Sequence, residues 1–159
     1  MRELNGVSMD SYREIENLIY TYAELIDAGN LEGMAQLFSH AEFLGPDGKV
    51  AASGAEEFLT VQRQAVRIYA EKGTPGTKHV TTNLIIEVDE STNTATARSY
   101  FTVFQSAQGI SLQPIIAGRY KDSFERVDGN WRFRQRQSIP ELFGDLSKHL
   151  LFDLSNSER

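Results

Sequence analysis

Cysteine is absent from this chain of 159 residues, which excludes disulfides, thiol catalysis and thiolate metal sites. No HExxH or comparable metal-ligand spacing occurs. No glycine-rich loop follows a strand and opens a helix, so a phosphate cradle is missing. No serine sits in a nucleophile elbow. Apolar runs stay well short of the roughly 18 residues a membrane helix needs. The first residues, MRELNGVSMD, have no apolar core of a secretory signal, and a cytoplasmic soluble protein is expected. Basic surplus is missing too: 16 Lys and Arg against 22 Asp and Glu give a net charge of −6. That argues against nucleic acid, which is bound through phosphate neutralisation. The one basic cluster, WRFRQRQ, is expected to be an exposed strand face. Repeats, low-complexity tracts and interdomain linkers are also lacking. One domain over 1–159 is expected, with a core over about 10–140 and an arm or short helix over 141–159. Neither a metal nor a cofactor is expected.

What is present divides into a helical and a two-fold half. After a loose lead-in over 1–9, a helix begins near Ser8 or Asp10, both good caps. Ile15, Leu18, Ile19, Tyr22 and Ile26 fall at helical spacing on one stripe. Gly29 stops this helix, and Asn30 caps a short second one carrying Leu31, Met34, Leu37 and Phe38. AEFLGPDGKVAAS reads as two short strands around a Pro-Asp-Gly turn. Ser53, with Glu56 as the partner in a capping box, starts a third helix over 54–72 that buries Phe58, Val61, Ala65, Ile68 and Tyr69.

From residue 77 the period becomes two. Four long strands are expected in TKHVTTNLIIEVDE, TATARSYFTVFQS, ISLQPIIAGRYKDSFERV and NWRFRQRQSI, joined by short polar turns. The fold class is therefore α+β: a cone-shaped, curved, mainly antiparallel sheet closed by three N-terminal helices. Phe43, Phe58, Phe101, Phe104, Leu112, Ile116, Phe124 and Phe143 are the expected fillers of that cone, whose apolar cavity is a default ligand site.

Two residues stand where the scaffold does not require them. Asp27 lies in the last turn of the first helix, where a carboxylate opposes the macrodipole at a cost of roughly 0.3–1 kcal/mol. Its bland reading is a solvated turn aspartate. His79 opens the first long strand, with Thr81 and Asn83 on its own polar row and Val80, Leu84, Ile86 and Val88 on the opposite apolar row. Its bland reading is a buried histidine bonded to a carbonyl, or one on an exposed polar face. Together they are the minimum set for proton transfer: an imidazole base near neutral pH, and a carboxylate to hold its second nitrogen. His40 reads as a turn residue and His149 as an exposed tail residue. Tyr22 is either core or a hydrogen-bond donor; it lies about 140° from Asp27 around an ideal helix. Arg136 alternates with Phe133 and points outward unless a bulge intervenes. Asn83 and Arg119 are further candidates for hydrogen bonds to a ligand.

Five segments carry a family resemblance. They are I-x-x-L-x-x-x-Y-A-x-x-x-D-x-G-N over 15–30, the Phe38–Phe43 turn into strand, K-H-x-x-x-N over 78–83, G-R-Y-x-D over 118–122 and D-G-N-W-R-F-x-x-R over 128–136. In order and spacing they resemble the SnoaL-like branch of the nuclear-transport-factor-2-like superfamily. The resemblance implies a cone-shaped α+β barrel, commonly a dimer or trimer through the sheet, holding a small apolar ligand. The superfamily includes scytalone dehydratase, bile-acid dehydratase, a dehydrochlorinase, steroid isomerase, polyketide cyclases and non-catalytic binding domains, so fold leaves function open. By this resemblance Asp27 corresponds to the aspartate that orients the base and His79 to the base. Tyr22 corresponds to a tyrosine of the bile-acid dehydratase, and Arg136 to an arginine bordering the leaving group. The oxyanion pair of the steroid isomerases has no clear counterpart. The expectation is a cofactor-independent lyase on a small apolar ring compound, with a binding domain, isomerase, cyclase or hydrolase as alternatives.

Overall fold

The computed structural model describes residues 9–153. Three helices come first: α1 (Met9–Asp27), α2 (Leu31–Gln36) and α3 (Gly54–Ala65), with the short strands β1 (Glu42–Leu44) and β2 (Val50–Ser53) before the last of them. Four long strands follow: β3 (Thr77–Asp89), β4 (Thr94–Ala107), β5 (Ile110–Val127) and β6 (Asn130–Phe143). They form one six-stranded sheet in the order β2-β1-β6-β5-β4-β3. Among the described strands only β1 and β6 pair in parallel. The sheet is curved and open rather than closed into a barrel, and β3 lies at one edge. The lead-in expected over 1–9 falls almost wholly outside the described residues, as does a start at Ser8.

The apolar stripe of α1 explains where the helix sits. Ile15, Ile19, Tyr22 and Ile26 are all buried and pack on the concave face of the sheet. Phe38, just past α2, stacks on Phe58 of α3 (centroids 4.2 Å apart) and on Phe133 of β6 (5.2 Å). Each such ring contributes roughly 1.5–3 kcal/mol by leaving water. Asn30 caps α2 as expected, its Oδ1 accepting from Gly33 N at 2.8 Å.

Two expectations for α3 are corrected. The backbone N–H of Ser53 donates to Glu57 at 2.8 Å, so Glu57 rather than Glu56 reaches back, and the Ser53 hydroxyl makes no capping bond. The helix also ends at Ala65 instead of running to 72. Val66 is extended (φ −94°, ψ 126°) and forms a β-bridge with Leu150, so tertiary pairing with the C-terminal arm replaces the last helical turns. Ile68 is consequently exposed instead of buried. The tail is an arm, not a helix.

Bulges bend the sheet and reassign its faces. In β3, two residues, Asn83 and Leu84, lie between the pairs Thr82↔Tyr100 and Ile85↔Arg98, where β4 has one. Asn83 takes φ 53°, a left-handed conformation that asparagine tolerates better than most residues. Before this bulge the odd-numbered Thr77, His79 and Thr81 face inward; after it Leu84, Ile86 and Val88 do. Val80 is therefore exposed and does not share a face with Leu84. In β6, Arg134 is the extra residue between Phe124↔Phe133 and Ser123↔Gln135. That bulge turns Arg136 inward along with Trp131 and Phe133.

Two expected cone fillers are not fillers. Leu112 is 70% exposed and Phe143 is 53% exposed. Leu112 lies on the face of β5 opposite the buried Ile115, and Phe143 lies on the part of β6 that runs past its pairing with β1.

Candidate functional site

The C-terminal end of α1 meets the start of β3, and this junction builds the site. Gly29 makes it possible. At φ 74° it turns the chain out of the helix, and a Cβ there would lie 2.0 Å from the Gly73 carbonyl oxygen. The last turn of α1 thus abuts the turn that leads into β3, and Asp27 is carried onto Thr77 and His79. His79 Nδ1–H donates to Asp27 Oδ1 at 2.6 Å. Thr77 Oγ1 donates to the same oxygen at 2.8 Å, and the backbone N–H of His79 donates to Oδ2 at 2.8 Å. Two-fold alternation explains the double grip: Thr77 and His79 are successive inward residues of one strand.

The side chains of His79 and Asp27 are only 8% and 9% exposed. Burial pushes the Asp27 carboxyl up, but the hydrogen bonds from the His79 ring, the His79 N–H and Thr77 outweigh it and hold the group below its ordinary value. An ionised carboxylate bonded to Nδ1–H fixes the tautomer in which Nε2 is the free, proton-accepting nitrogen. Both residues border a groove of about 600 Å³ between α1 and the edge strand, which Tyr20 and Ala23 line on one side and Lys78 and Thr81 on the other.

A second ionic pair lies deeper. Arg136 Nε and Nη2 each donate to Asp122 at 2.8 Å, and both side chains are fully buried. The Arg136 guanidinium also lies over the rings of Tyr120 (3.8 Å) and Tyr22 (4.3 Å), an arrangement favoured by the ring quadrupole. Burial pushes the Tyr22 phenol up, so it stays protonated. Tyr22 packs edge-on against Phe38 and Tyr120 and does not line the groove.

The structure therefore brings Asp27 and His79 together, sets Tyr22 and Arg136 side by side in the interior, and separates the other two candidates from both. Asn83 is exposed at the β3 bulge. Arg119 is exposed on the outer face of β5 and pairs with Glu141. Among the described residues no group of three or more His, Cys, Asp or Glu is arranged to hold a metal ion.

The profile of the SnoaL-like domain matches residues 7–137. The chain belongs to the SnoaL-like family. No curated protein matches it in sequence. Solved structures do. An NTF2-like protein with a cystatin-like fold from Novosphingobium aromaticivorans aligns with a TM-score of 0.68 and 22% identity, covering 82% of each chain. A scytalone dehydratase candidate from the same organism aligns at 0.67 and 23%, covering 86% of this chain and 88% of that one. Rv3472 of Mycobacterium tuberculosis, a protein of unknown function studied as a variant, aligns at 0.66 and 26%, covering 83% and 72%. The first two likenesses, below 25% identity, show the fold alone.

This SnoaL-like chain holds site features that reading along the sequence did not find. Thr77 is one; its place two residues before His79 on the same strand face was the available signal. Asp122 and Tyr120 are others, legible only as part of G-R-Y-x-D. The largest correction is His149. Expected in an exposed tail, it is 5% exposed, and its ring centroid lies 6.1 Å from that of His79. It sits beyond the segment that the family profile covers, and only the leucines around it (Leu146, Leu150 and Leu151) hinted at burial.

Proposed function

We propose that this protein is a cofactor-independent lyase that eliminates water, or a similar leaving group, from a small and largely apolar ring compound. The observation that carries this reading is the 2.6 Å bond between Asp27 and His79 at the border of a groove large enough for such a molecule. His79 Nε2 takes a proton from a carbon next to a carbonyl. The electrons of that C–H bond form a C=C bond with the neighbouring carbon, and the leaving group departs with the electrons of its own bond. Lost as hydroxide, it acquires a proton and leaves as water. Asp27 keeps the imidazole in the productive tautomer and stabilises the imidazolium that forms. Tyr22 and Arg136 are polar groups met by a substrate that reaches past His79 into the interior, where the protonated phenol donates to an oxygen.

The bonded dyad supports catalysis over simple ligand binding, since a binding domain has no need of an oriented base. The structural neighbour described as a scytalone dehydratase candidate is in keeping with elimination. Self-association through the outer face of the sheet belongs to the same proposal, supported by the exposed Val80, Tyr100 and Leu142 there.

A cyclic β-hydroxyketone such as 3-hydroxy-1-tetralone tests the reaction directly, because loss of water followed by tautomerisation yields fluorescent 1-naphthol. Turnover is expected, and His79→Ala is expected to lower it by about 10²–10⁴-fold. Turnover that His79→Ala leaves untouched would remove His79 as the base. Conversion of a β,γ-unsaturated cyclic ketone to its conjugated isomer, with no dehydration of the hydroxyketone, would reassign the pair to isomerisation.

A further inference from the structure

The C-terminal arm is fastened beside the dyad by bonds at Lys148, His149 and Leu151. The His149 carbonyl accepts from Arg67 N at 2.8 Å, and Leu151 N donates to the Ala65 carbonyl at 2.9 Å. The carbonyl just before it, Lys148 O, accepts from Tyr69 Oη at 2.6 Å and from Gln105 Nε2 at 3.0 Å. These contacts depend on the early end of α3, which leaves Ala65 O and Arg67 N free of a helix. The arm thus presents one imidazole to the interior, with its ring edge toward that of His79.

That imidazole and its neighbour are incompletely used. Gln105 is fully buried and spends its amide N–H₂ on Pro75 O and Lys148 O, both at 3.0 Å. Among the described residues its Oε1 has no partner, and neither has His149 Nδ1. Gln105 stands directly across from Thr77 in the β3–β4 ladder, and Val103 directly across from His79. Two unpaired buried polar atoms therefore belong to residues near the Asp27–His79 pair, one on β4 across from Thr77 and one on the arm whose ring lies 6.1 Å from that of His79. A buried polar atom without a partner costs roughly 1–3 kcal/mol, and native interiors rarely leave such groups unpaired.

We propose that His149 and Gln105 form a subsite that binds a hydroxyl group of the ligand beside His79. The donor inventory selects the group. Gln105 Oε1 can only accept, so it needs an O–H or N–H. Neutral His149 can donate from Nδ1. A hydroxyl satisfies both at once, donating to Gln105 and accepting from His149, whereas a carbonyl leaves Gln105 unpaired. Burial, with His79 nearby, lowers the His149 pKa to about 4, so the ring is neutral at physiological pH. The subsite deepens the elimination reading and rests on it in one respect: the hydroxyl held here is the leaving group, and His149 is a contact to it supplied from outside the segment that the family profile covers.

The test uses the full chain and two unreactive probes, 2-tetralol and tetralin, which differ by one hydroxyl. Titration calorimetry is expected to show 2-tetralol binding about tenfold tighter than tetralin, the ratio for one or two buried hydrogen bonds. His149→Phe and Gln105→Leu should each bring that ratio close to one. Protection of the Arg67 and Leu151 amides from hydrogen exchange reports whether the arm stays docked. In the unmodified protein, the ¹⁵N resonance of His149 Nδ1 should move on adding 2-tetralol and stay still on adding tetralin, a readout that needs no variant to fold. The proposal is overturned by equal binding of the two probes, by a preference that survives His149→Phe with the arm docked, or by a His149 resonance that ignores 2-tetralol. Turnover of 3-hydroxy-1-tetralone is read separately: its absence alongside a retained hydroxyl preference overturns the elimination reading and leaves the subsite standing.

Discussion

Two aspartates in this protein each hold a nitrogen base, and the two pairs behave oppositely. Asp27 and His79 meet at the rim, bordering an open groove. Asp122 and Arg136 meet in the interior with no exposed surface at all. The rim pair contains an imidazole, which can accept and release a proton. The interior pair contains a guanidinium, which keeps its proton under all ordinary conditions. The one can transfer a proton; the other can only supply a fixed charge and hold the sheet in register. Similar geometry at 2.6 and 2.8 Å therefore sets an imidazole at a groove in one place and a fixed charge in the interior in the other. The partner's chemistry and its place relative to the groove make the difference.

Substitution at each pair should separate these roles. Arg136→Ala leaves Asp122 charged or unpaired in the core and is expected to cost about 3–5 kcal/mol of stability, measured by urea unfolding. Replacing both partners with apolar residues of similar volume should recover much of that loss. His79→Ala should show the reverse pattern, with the large loss in turnover described above and a much smaller change in unfolding midpoint. If Arg136→Ala unfolds normally and His79→Ala does not, the contrast between the pairs is wrong.

Asp27→Asn sharpens the comparison. The carboxylate accepts three hydrogen bonds, and its replacement is expected to cost about 1.5–3 kcal/mol. Its pKa is lowered in the folded state. The stability it adds is therefore complete above the unfolded carboxylate value, near 3.9, and is lost as pH falls through the lower folded value. Asp27→Asn should flatten that acid limb of the stability curve.

Gly29→Ala is expected to cost about 1–2 kcal/mol for the left-handed backbone alone, and more from its collision with Gly73. Because it shifts the turn beside Asp27, it should also weaken turnover. The smallest effect concerns the arm. His149 is neutral when folded down to about pH 4, whereas in the unfolded chain it titrates near 6.5. The unfolded chain takes up the extra proton between those values, so the arm's stability is full above about 6.5 and falls toward pH 4. The groups facing the ring are His79 and Asp27. His149→Phe should remove that limb, as read by hydrogen exchange at Leu151.

The local code accounts for much of this. The stripe on α1, the Asn30 cap and the four strands with their turns all followed from spacing of 3.6 or 2, because each depends on neighbours within a few residues. The Asp27–His79 pair was legible because both residues lie at element ends, where the scaffold does not demand them. Glu57 in place of Glu56, the early end of α3 and the burial of His149 were not legible. The first is a choice between two adjacent acids for one local bond; the other two depend on a contact between segments far apart in the chain, here Val66 with Leu150.

By itself, then, the amino-acid sequence determined the α+β order and the amphipathic faces, and it marked Asp27 and His79 as candidates, since periodicity and side-chain chemistry are local properties. Only the tertiary structure decided which way the critical side chains point. One extra residue in a strand reverses every face beyond it. The bulge at Asn83 lets His79 and Leu84 share the inner face, and the one at Arg134 turns Arg136 from solvent to core. The fold also decided that a tail histidine lies beside the dyad, because arm docking is settled by the free backbone groups that a shortened helix leaves behind.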